Sequence, residues 1–229
     1  MSIITKKINN QFIFYDKDIE INIEELFSSD ILITSEDTNV QWLNSEKWVK
    51  KHYFRKGMMK FMVDSYLFKS IENTRSFKEF NLLNYLYKSG FNTCRPIVGW
   101  VEYHGIFYKA NIVTESISSI TLKDLLQSDL KYSLIDKYNI FKKVGVSIAK
   151  MHLLNVNHGD LNISNILIDK DIMNVWIIDF DKSSQSSNIS SAERKSNIKR
   201  FERSLVNTGL FEEKCYNYFI KGYHSIIND

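Results

Sequence analysis

Glycine is scarce in the first part of this chain. Of eight glycines in 229 residues, none precedes Gly57. A glycine-rich loop that would let backbone amides crowd a phosphate is therefore missing there as a motif. Proline occurs once, at Pro96, and no linker, low-complexity tract or internal repeat stands out. Cysteine occurs twice, at Cys94 and Cys215. Their separation matches no zinc or redox spacing, so both are read as structural thiols in a reducing compartment. No apolar run has the length to cross a bilayer. Met1 to Asn10 is polar and basic, without the apolar core of a secretory signal. The expectation is a protein that stays inside the cell. The net charge of +3 is too small to argue for a nucleic-acid partner, and none is expected.

What is present is ordinary globular composition, with 44% apolar and 25% charged residues. Short alternating runs predict strands at Gln11 to Tyr15, Ile31 to Thr34, Val40 to Leu43, Trp48 to Phe54, Ile97 to Glu102 and Ile106 to Glu115. Asp18 to Phe27 carries Ile19, Ile23, Leu26 and Phe27 at helical spacing. Thr74 to Lys88 does so more clearly, through Phe77, Phe80, Leu83, Leu86 and Tyr87, and Gly90 follows as a stop. From Thr121 onward the texture is mostly helical. Thr121 to Asp124 opens a short helix, Lys137 to Leu154 reads as a long one, and two more follow at Ala192 to Val206 and Phe211 to Ile226. This order predicts an α+β fold in two lobes. An antiparallel sheet with one helix fills residues 1–115, a reduced helical lobe fills 116–229, and a nucleotide lies in the cleft.

The chemistry is concentrated in His158-Gly159-Asp160-Leu161-Asn162-Ile163-Ser164-Asn165 and in Asp179-Phe180-Asp181. The order of groups is that of H-R-D-x-x-x-x-N and D-F-G in protein kinases. A tight loop presents Asp160 at one end and Asn165 at the other. An apolar hairpin, Ile166 to Ile168 and Val175 to Ile178, would then return Asp179 beside Asn165. Asp160 is the expected base, or orienting carboxylate, for an acceptor hydroxyl. Asn165 and Asp179 offer the amide and carboxylate oxygens that suit Mg²⁺ on a triphosphate. His158 is read as a packed brace of the loop. Asp181 stands where the kinase pattern has glycine, as a loop-bracing group or a second metal neighbour.

A kinase also needs a cation on the phosphates. Lys50 and Lys51 point to opposite faces of one strand, and Lys51 is chosen because it shares a face with Val49, as in V-A-I-K. Glu79 is its expected partner. Its alternative role is the last residue of a capping box in Ser76-Phe77-Lys78-Glu79. Glu115 falls at the natural hinge and is expected to meet the nucleotide. Ser35 to Asn39 sits where the phosphate-covering loop would lie. Lys47, Lys50, Lys51, Arg55, Lys56 and Lys60 run into Met58, Met59, Phe61 and Met62. That juxtaposition suits an anionic lipid surface or a phosphorylated glycolipid, and equally a solvated basic face beside core residues.

Several of these segments together carry a family resemblance. They are Lys51-His52-Tyr53-Phe54-Arg55-Lys56-Gly57, Thr74-Arg75-Ser76-Phe77-Lys78-Glu79-Phe80, Arg95-Pro96-Ile97, Tyr108 to Glu115, His158 to Asn162, Asn165-Ile166-Leu167, Ile178 to Lys182 and Arg200 to Leu205. With them the whole chain resembles the 3-deoxy-D-manno-octulosonic acid (Kdo) kinases of Gram-negative bacteria, in the lipopolysaccharide kinase group of the protein-kinase-like fold. The resemblance implies transfer of the ATP γ-phosphate to the 4-hydroxyl of Kdo on a lipid A precursor. It implies ATP and Mg²⁺ as cofactors and a peripheral position at the cytoplasmic face of the inner membrane. Asp160 matches the family's active-site aspartate. No A-P-E-like element follows Asp181, which leaves little room for a peptide-binding platform and favours a non-protein acceptor. Other small-molecule acceptors, including a core heptose, and a pseudokinase binding module are the competing readings.

Overall fold

The computed structural model describes residues 3–19, 22–28, 40–43, 47–53, 66–128, 134–169 and 174–227. The chain forms two compact units. One comprises residues 1–85 and 94–117, the other residues 86–93 and 118–229.

In the first unit, seven strands form one antiparallel sheet among the described residues. They are β1 (Ile3–Ile8), β2 (Gln11–Asp16), β3 (Val40–Leu43), β4 (Trp48–His52), β5 (Tyr66–Leu67), β6 (Pro96–His104) and β7 (Phe107–Glu115). The spatial order is β1-β2-β6-β7-β4-β3, and β5 pairs with β7. Strand β1 escapes sequence reasoning because its Thr5-Lys6-Lys7 centre is exposed and charged, as an edge strand tends to be. It is joined to β2 through Asn9, whose φ of 54° is a turn conformation that asparagine tolerates.

The alternation of β2 assigns each face of the sheet a helix. Phe14 points to α2 (Arg75–Lys88), where Phe77 and Phe80 meet its ring edge-on at 5.0 and 5.4 Å. Gly99 on β6 makes room for that ring: a methyl group there would lie 2.2 Å from Phe14. Buried Asp16 accepts a 2.6 Å bond from Asn84 of the same helix. Ile13 and Tyr15 face the other way and join Leu26, Ile97, Val98, Trp100 and Val113 in a core cluster. A short helix α1 (Ile23–Ser28) closes that face, in the second half of the segment from Asp18 to Phe27 that carries helical spacing, so this unit holds α1 as well as α2, with Phe27 against Trp100. Each such fully buried side chain contributes about 1.5–3 kcal/mol.

The second unit is built on α3 (Leu122–Gln127), α4 (Leu134–Leu153), α5 (Ser191–Asn207) and α6 (Glu213–His224). Thr121 caps α3 by accepting from Asp124 N at 3.0 Å, and Ser190 with Glu193 forms a capping box on α5. Helices α4 and α6 touch backbone to backbone. Methyl groups on Gly145 and Gly222 would stand 2.0 Å from Phe219 O and 2.1 Å from Lys142 O. Among the described residues the unit also holds two small antiparallel sheets. One orders β11 (Val175–Ile177), β10 (Ile166–Asp169) and β8 (Ser119–Thr121). The other pairs β9 (Val156–Asn157) with β12 (Ser184–Gln185). Residues 86–93 belong here because Asn92 and Thr93 donate side-chain bonds to Val175 O and Ile177 O at 3.2 and 2.8 Å. Among the described residues no helix is long and apolar enough to cross a membrane.

Candidate active site

The loop carrying Asp160 is shaped by what precedes it. Helix α4 ends at Leu153, and Asn155, with a φ of 59°, turns the chain into β9. His158 follows, fully buried, and both of its ring nitrogens are in use. Nδ1 accepts from Asp160 N at 3.2 Å, so it carries no proton, and Nε2–H donates to Ile178 O at 3.0 Å. Burial pushes the imidazole below its ordinary range, outweighing the bond to Ile178. The neutral ring thus ties the loop to the end of the hairpin, and it packs on buried Phe180 at 4.8 Å.

The Asp160 carbonyl is held twice, by Asn162 Nδ2 and Asn165 Nδ2, both at 2.9 Å. Its carboxylate, about half exposed, meets Lys182 Nζ at 2.8 Å through Oδ2. Asn162 Oδ1 in turn accepts from Ser164 N at 2.9 Å. Ile178 N donates to Asn165 O at 3.0 Å, so the hairpin does bring the residue before Asp179 onto Asn165. Asp179 itself has a φ of 63°, left-handed backbone that costs a non-glycine residue about 1–3 kcal/mol and persists only where its surroundings demand it. Asp181 lies in the following turn, closed by Ser183 N to Phe180 O at 2.9 Å.

These positions fit a divalent cation of the hard, oxygen-seeking type. A carbonyl can only accept, so the bond to Asp160 O fixes the Asn165 amide with its NH₂ inward and leaves Oδ1 as a donor for metal. The carboxylate of Asp179 is the other oxygen group that could hold such a cation. Among the described residues no group of three or more His, Cys, Asp or Glu side chains is assembled to hold a metal. Two protein oxygens suit Mg²⁺, which takes its remaining ligands from water and phosphate.

The first unit holds the other charged cluster. Lys51 Nζ lies 3.0 Å from Glu79 Oε2 and 3.2 Å from Oε1. Glu79 is only 3% exposed. The neighbouring Lys50 points to the opposite face and sits over the Trp100 ring at 5.6 Å, as the alternation of a strand requires. The Glu79 carboxylate is thus engaged by the lysine, and because α2 begins at Arg75, Ser76 lies inside the helix and not at its N-cap. Tyr53, buried at the end of β4, donates to Glu79 Oε2 at 2.5 Å. Arg75 stacks on the Tyr53 and Tyr66 rings and bonds Tyr66 Oη. Sequence reasoning missed Tyr53, although its period-two spacing from Lys51 places it on the same face. Glu115, at the end of β7, accepts from Arg95 at 3.5 Å and is a little under half exposed. Ser35 to Asn39 and the basic and apolar residues from Phe54 to Ser65 lie outside the described residues.

A buried polar group behind the catalytic loop was also missed. Asn197 of α5 accepts from His158 N at 2.9 Å. It donates to His158 O at 3.1 Å and to Asn157 Oδ1 at 2.7 Å. His152 joins Asn197 Oδ1 at 3.2 Å and Tyr223 Oη at 2.8 Å. The signal was present: Asn197, Phe201 and Leu205 share the buried face of α5, and an asparagine in such a stripe calls for partners.

A loop aspartate, an asparagine and an aspartate at the two ends of a hairpin, and a strand lysine paired with a buried glutamate of α2 are groups that suit a kinase-like phosphotransferase. The comparisons agree. Residues 32–223 match the model of the lipopolysaccharide kinase (Kdo/WaaP) family, and the chain belongs to that family. It is 43% identical over 156 residues to the 3-deoxy-D-manno-octulosonic acid kinase of Vibrio cholerae, a match spanning 68% of this chain and 63% of that protein, just under two thirds. Identity to the same-named kinase of Vibrio vulnificus is 39% over 183 residues, 76% of this chain and 74% of that protein. To the one of Vibrio parahaemolyticus it is 34% over 209 residues, 86% and 85%. A solved structure of WaaP in complex with acyl carrier protein superposes with a TM-score of 0.61 over 84% of this chain and 77% of that one. At 15% identity this likeness bears on the fold, which is protein-kinase-like. The chain is an enzyme that phosphorylates a hydroxyl group.

Proposed function

We propose that this protein transfers the γ-phosphate of ATP to the 4-hydroxyl of Kdo on a lipid A precursor, working peripherally at the cytoplasmic face of the inner membrane. The observation that carries this reading is the 43% and 39% identity to kinases named for that acceptor. The loop geometry supports it. Asp160 keeps one carboxylate oxygen free of Lys182 and can align the sugar hydroxyl, taking its proton late in a transfer that depends mainly on positioning. Asn165 and Asp179 would hold Mg²⁺, which neutralises charge on the phosphates when bound. Lys51, fixed by Glu79, would steady the same phosphates, and Glu115 is assigned to the nucleotide. The phosphate-covering role falls to Ser35 to Asn39 in place of glycines. Residues 1–115 and 116–229 act as the two lobes of one kinase-like domain. The basic segment from Lys47 to Lys60 is assigned to the anionic membrane surface.

The test is incubation of purified protein with radiolabelled ATP and a Kdo-bearing lipid A precursor. Label is expected on the glycolipid with wild type and not with Asp160→Ala. Equal labelling by the variant overturns the role of Asp160. Label on a heptose acceptor but not on Kdo overturns the acceptor.

A further inference from the structure

We propose that Lys182 is a positioning residue of the phosphoryl transfer, acting through Asp160. The inference rests on the function proposed above and adds a residue to it. Lys182 Nζ sits 2.8 Å from Asp160 Oδ2. The pair is open to solvent, with the lysine side chain 61% and the aspartate 46% exposed. Exposed ion pairs contribute only about 0–1 kcal/mol to stability, so folding alone gives little reason to fix a lysine there.

The surrounding backbone is nevertheless built to fix it. A methyl group on Gly159 would lie 2.0 Å from Lys182 O, so the two backbones are in direct contact beneath the ion pair. One strand step further on, Ser184 pairs with Asn157 and Gln185 with Val156. On the other side, Ser183 N closes a turn onto Phe180 O at 2.9 Å, and Phe180 packs on His158. Lys182 is thus clamped to the catalytic loop at both ends of a short segment.

The loop also needs what Lys182 supplies. Leu161, Asn162, Ile163 and Ser164, between Asp160 and Asn165, include no cation. The amides of Asn162 and Asn165 are spent on the Asp160 carbonyl. His158 takes the Asp160 backbone N–H. The backbone of Asp160 is therefore held by its own loop, while its carboxylate is held by Lys182. With Oδ2 occupied by the ammonium, Oδ1 is the oxygen presented to the acceptor hydroxyl. In the transfer, that hydroxyl oxygen bonds to the γ-phosphorus and the bond from γ-phosphorus to the bridging oxygen of ADP breaks. The electron pair leaves with ADP, and the hydroxyl proton passes to Asp160. Lys182 forms and breaks no bond in this step. Its work is orientation of the carboxylate, the kind of placement whose loss costs on the order of 10²-fold in rate.

The experiment uses the full chain as wild type, Lys182→Met and Lys182→Arg. It measures kcat and KM for ATP in transfer to the Kdo glycolipid. It also measures the slower release of γ-phosphate to water, in which Asp160 would align a water in place of the sugar hydroxyl. Methionine keeps the length and packing of the stem, and melting temperatures within a degree or so of wild type are expected. Lys182→Met is expected to lower kcat on the order of 10²-fold with KM for ATP changed less than about twofold, and Lys182→Arg to recover most of kcat. A Lys182→Met enzyme with undiminished kcat overturns the proposal. So does a loss that falls on KM for ATP, which would place the lysine on the nucleotide. If wild type releases phosphate to water but labels no glycolipid, the acceptor reading fails while Lys182 is still judged on hydrolysis.

Discussion

The α-carbon of Gly159 lies so close under the carbonyl of Lys182 that a methyl group on it would fall 2.0 Å from that oxygen. The protein-kinase pattern has arginine at this position, and here no side chain fits. Catalytic loop and metal-side turn are packed as one piece, with the glycine as the point of contact. Gly159→Ala is expected to push the two segments apart, costing about 1–3 kcal/mol of stability and on the order of 10²-fold in kcat through displacement of Asp160. Urea denaturation and steady-state kinetics on one preparation check both. A stable variant of full activity would show that the contact is incidental.

Glu79 is a buried carboxylate that meets groups of different kinds, the ammonium of Lys51 and the phenol of Tyr53. Removing the lysine takes the ammonium away from that buried charge. Lys51→Met is expected to cost about 3–5 kcal/mol and to raise KM for ATP or abolish turnover. Tyr53→Phe removes one hydrogen bond to a charged group and is expected to cost about 1.5–3 kcal/mol, with activity partly kept. Chemical denaturation of the two variants beside wild type measures both costs, and a Tyr53→Phe protein as stable as wild type would contradict the second.

Asn197 carries three bonds that tie α5 to the start of the catalytic loop and a fourth that ties it to His152 of α4. Asn197→Leu fills the space but leaves His158 N–H, His158 O and the Asn157 side chain without it. Each buried group left unsatisfied costs about 1–3 kcal/mol, so the variant is expected to melt well below wild type. Differential scanning calorimetry reads the effect. Melting within a degree or so of wild type would contradict the network.

His158 links stability to pH with a definite sign. Burial lowers its folded pKa below the ordinary 6.5. Above that value the ring is neutral in both states and its contribution is complete. As pH falls below it, the unfolded chain takes up a proton that the folded chain refuses, so stability declines until the folded pKa is reached. The melting temperature of wild type is expected to drop more steeply than that of His158→Gln between neutral pH and about pH 5. Parallel curves would contradict the assignment of a buried neutral ring.

The parts legible in the sequence were those encoded by short-range spacing. The loop from His158 to Asn165 and the hairpin returning toward Asp179 follow from neighbouring residues, and the structure joins them through Ile178 N and Asn165 O. That Lys50 and Lys51 face opposite ways follows from the pleat of one strand, and Lys51 is picked by the face it shares with Val49. What stayed hidden depends on contacts between distant segments. Lys182 meets Asp160 across a turn whose geometry no motif specifies, Asn197 reaches His158 from a helix far along the chain, and Gly159 is required by a backbone that passes beside it. Strand β1 was hidden for another reason: its charged exposed residues carry no core-facing pattern.

The central claim is that this protein places one phosphate on Kdo. Mass spectrometry of the glycolipid from cells with and without the protein tests it most directly. The account predicts a Kdo-linked phosphate that is present with the intact chain and lost with its deletion or with Asp160→Ala. A glycolipid carrying the same phosphate in all three cells would contradict it.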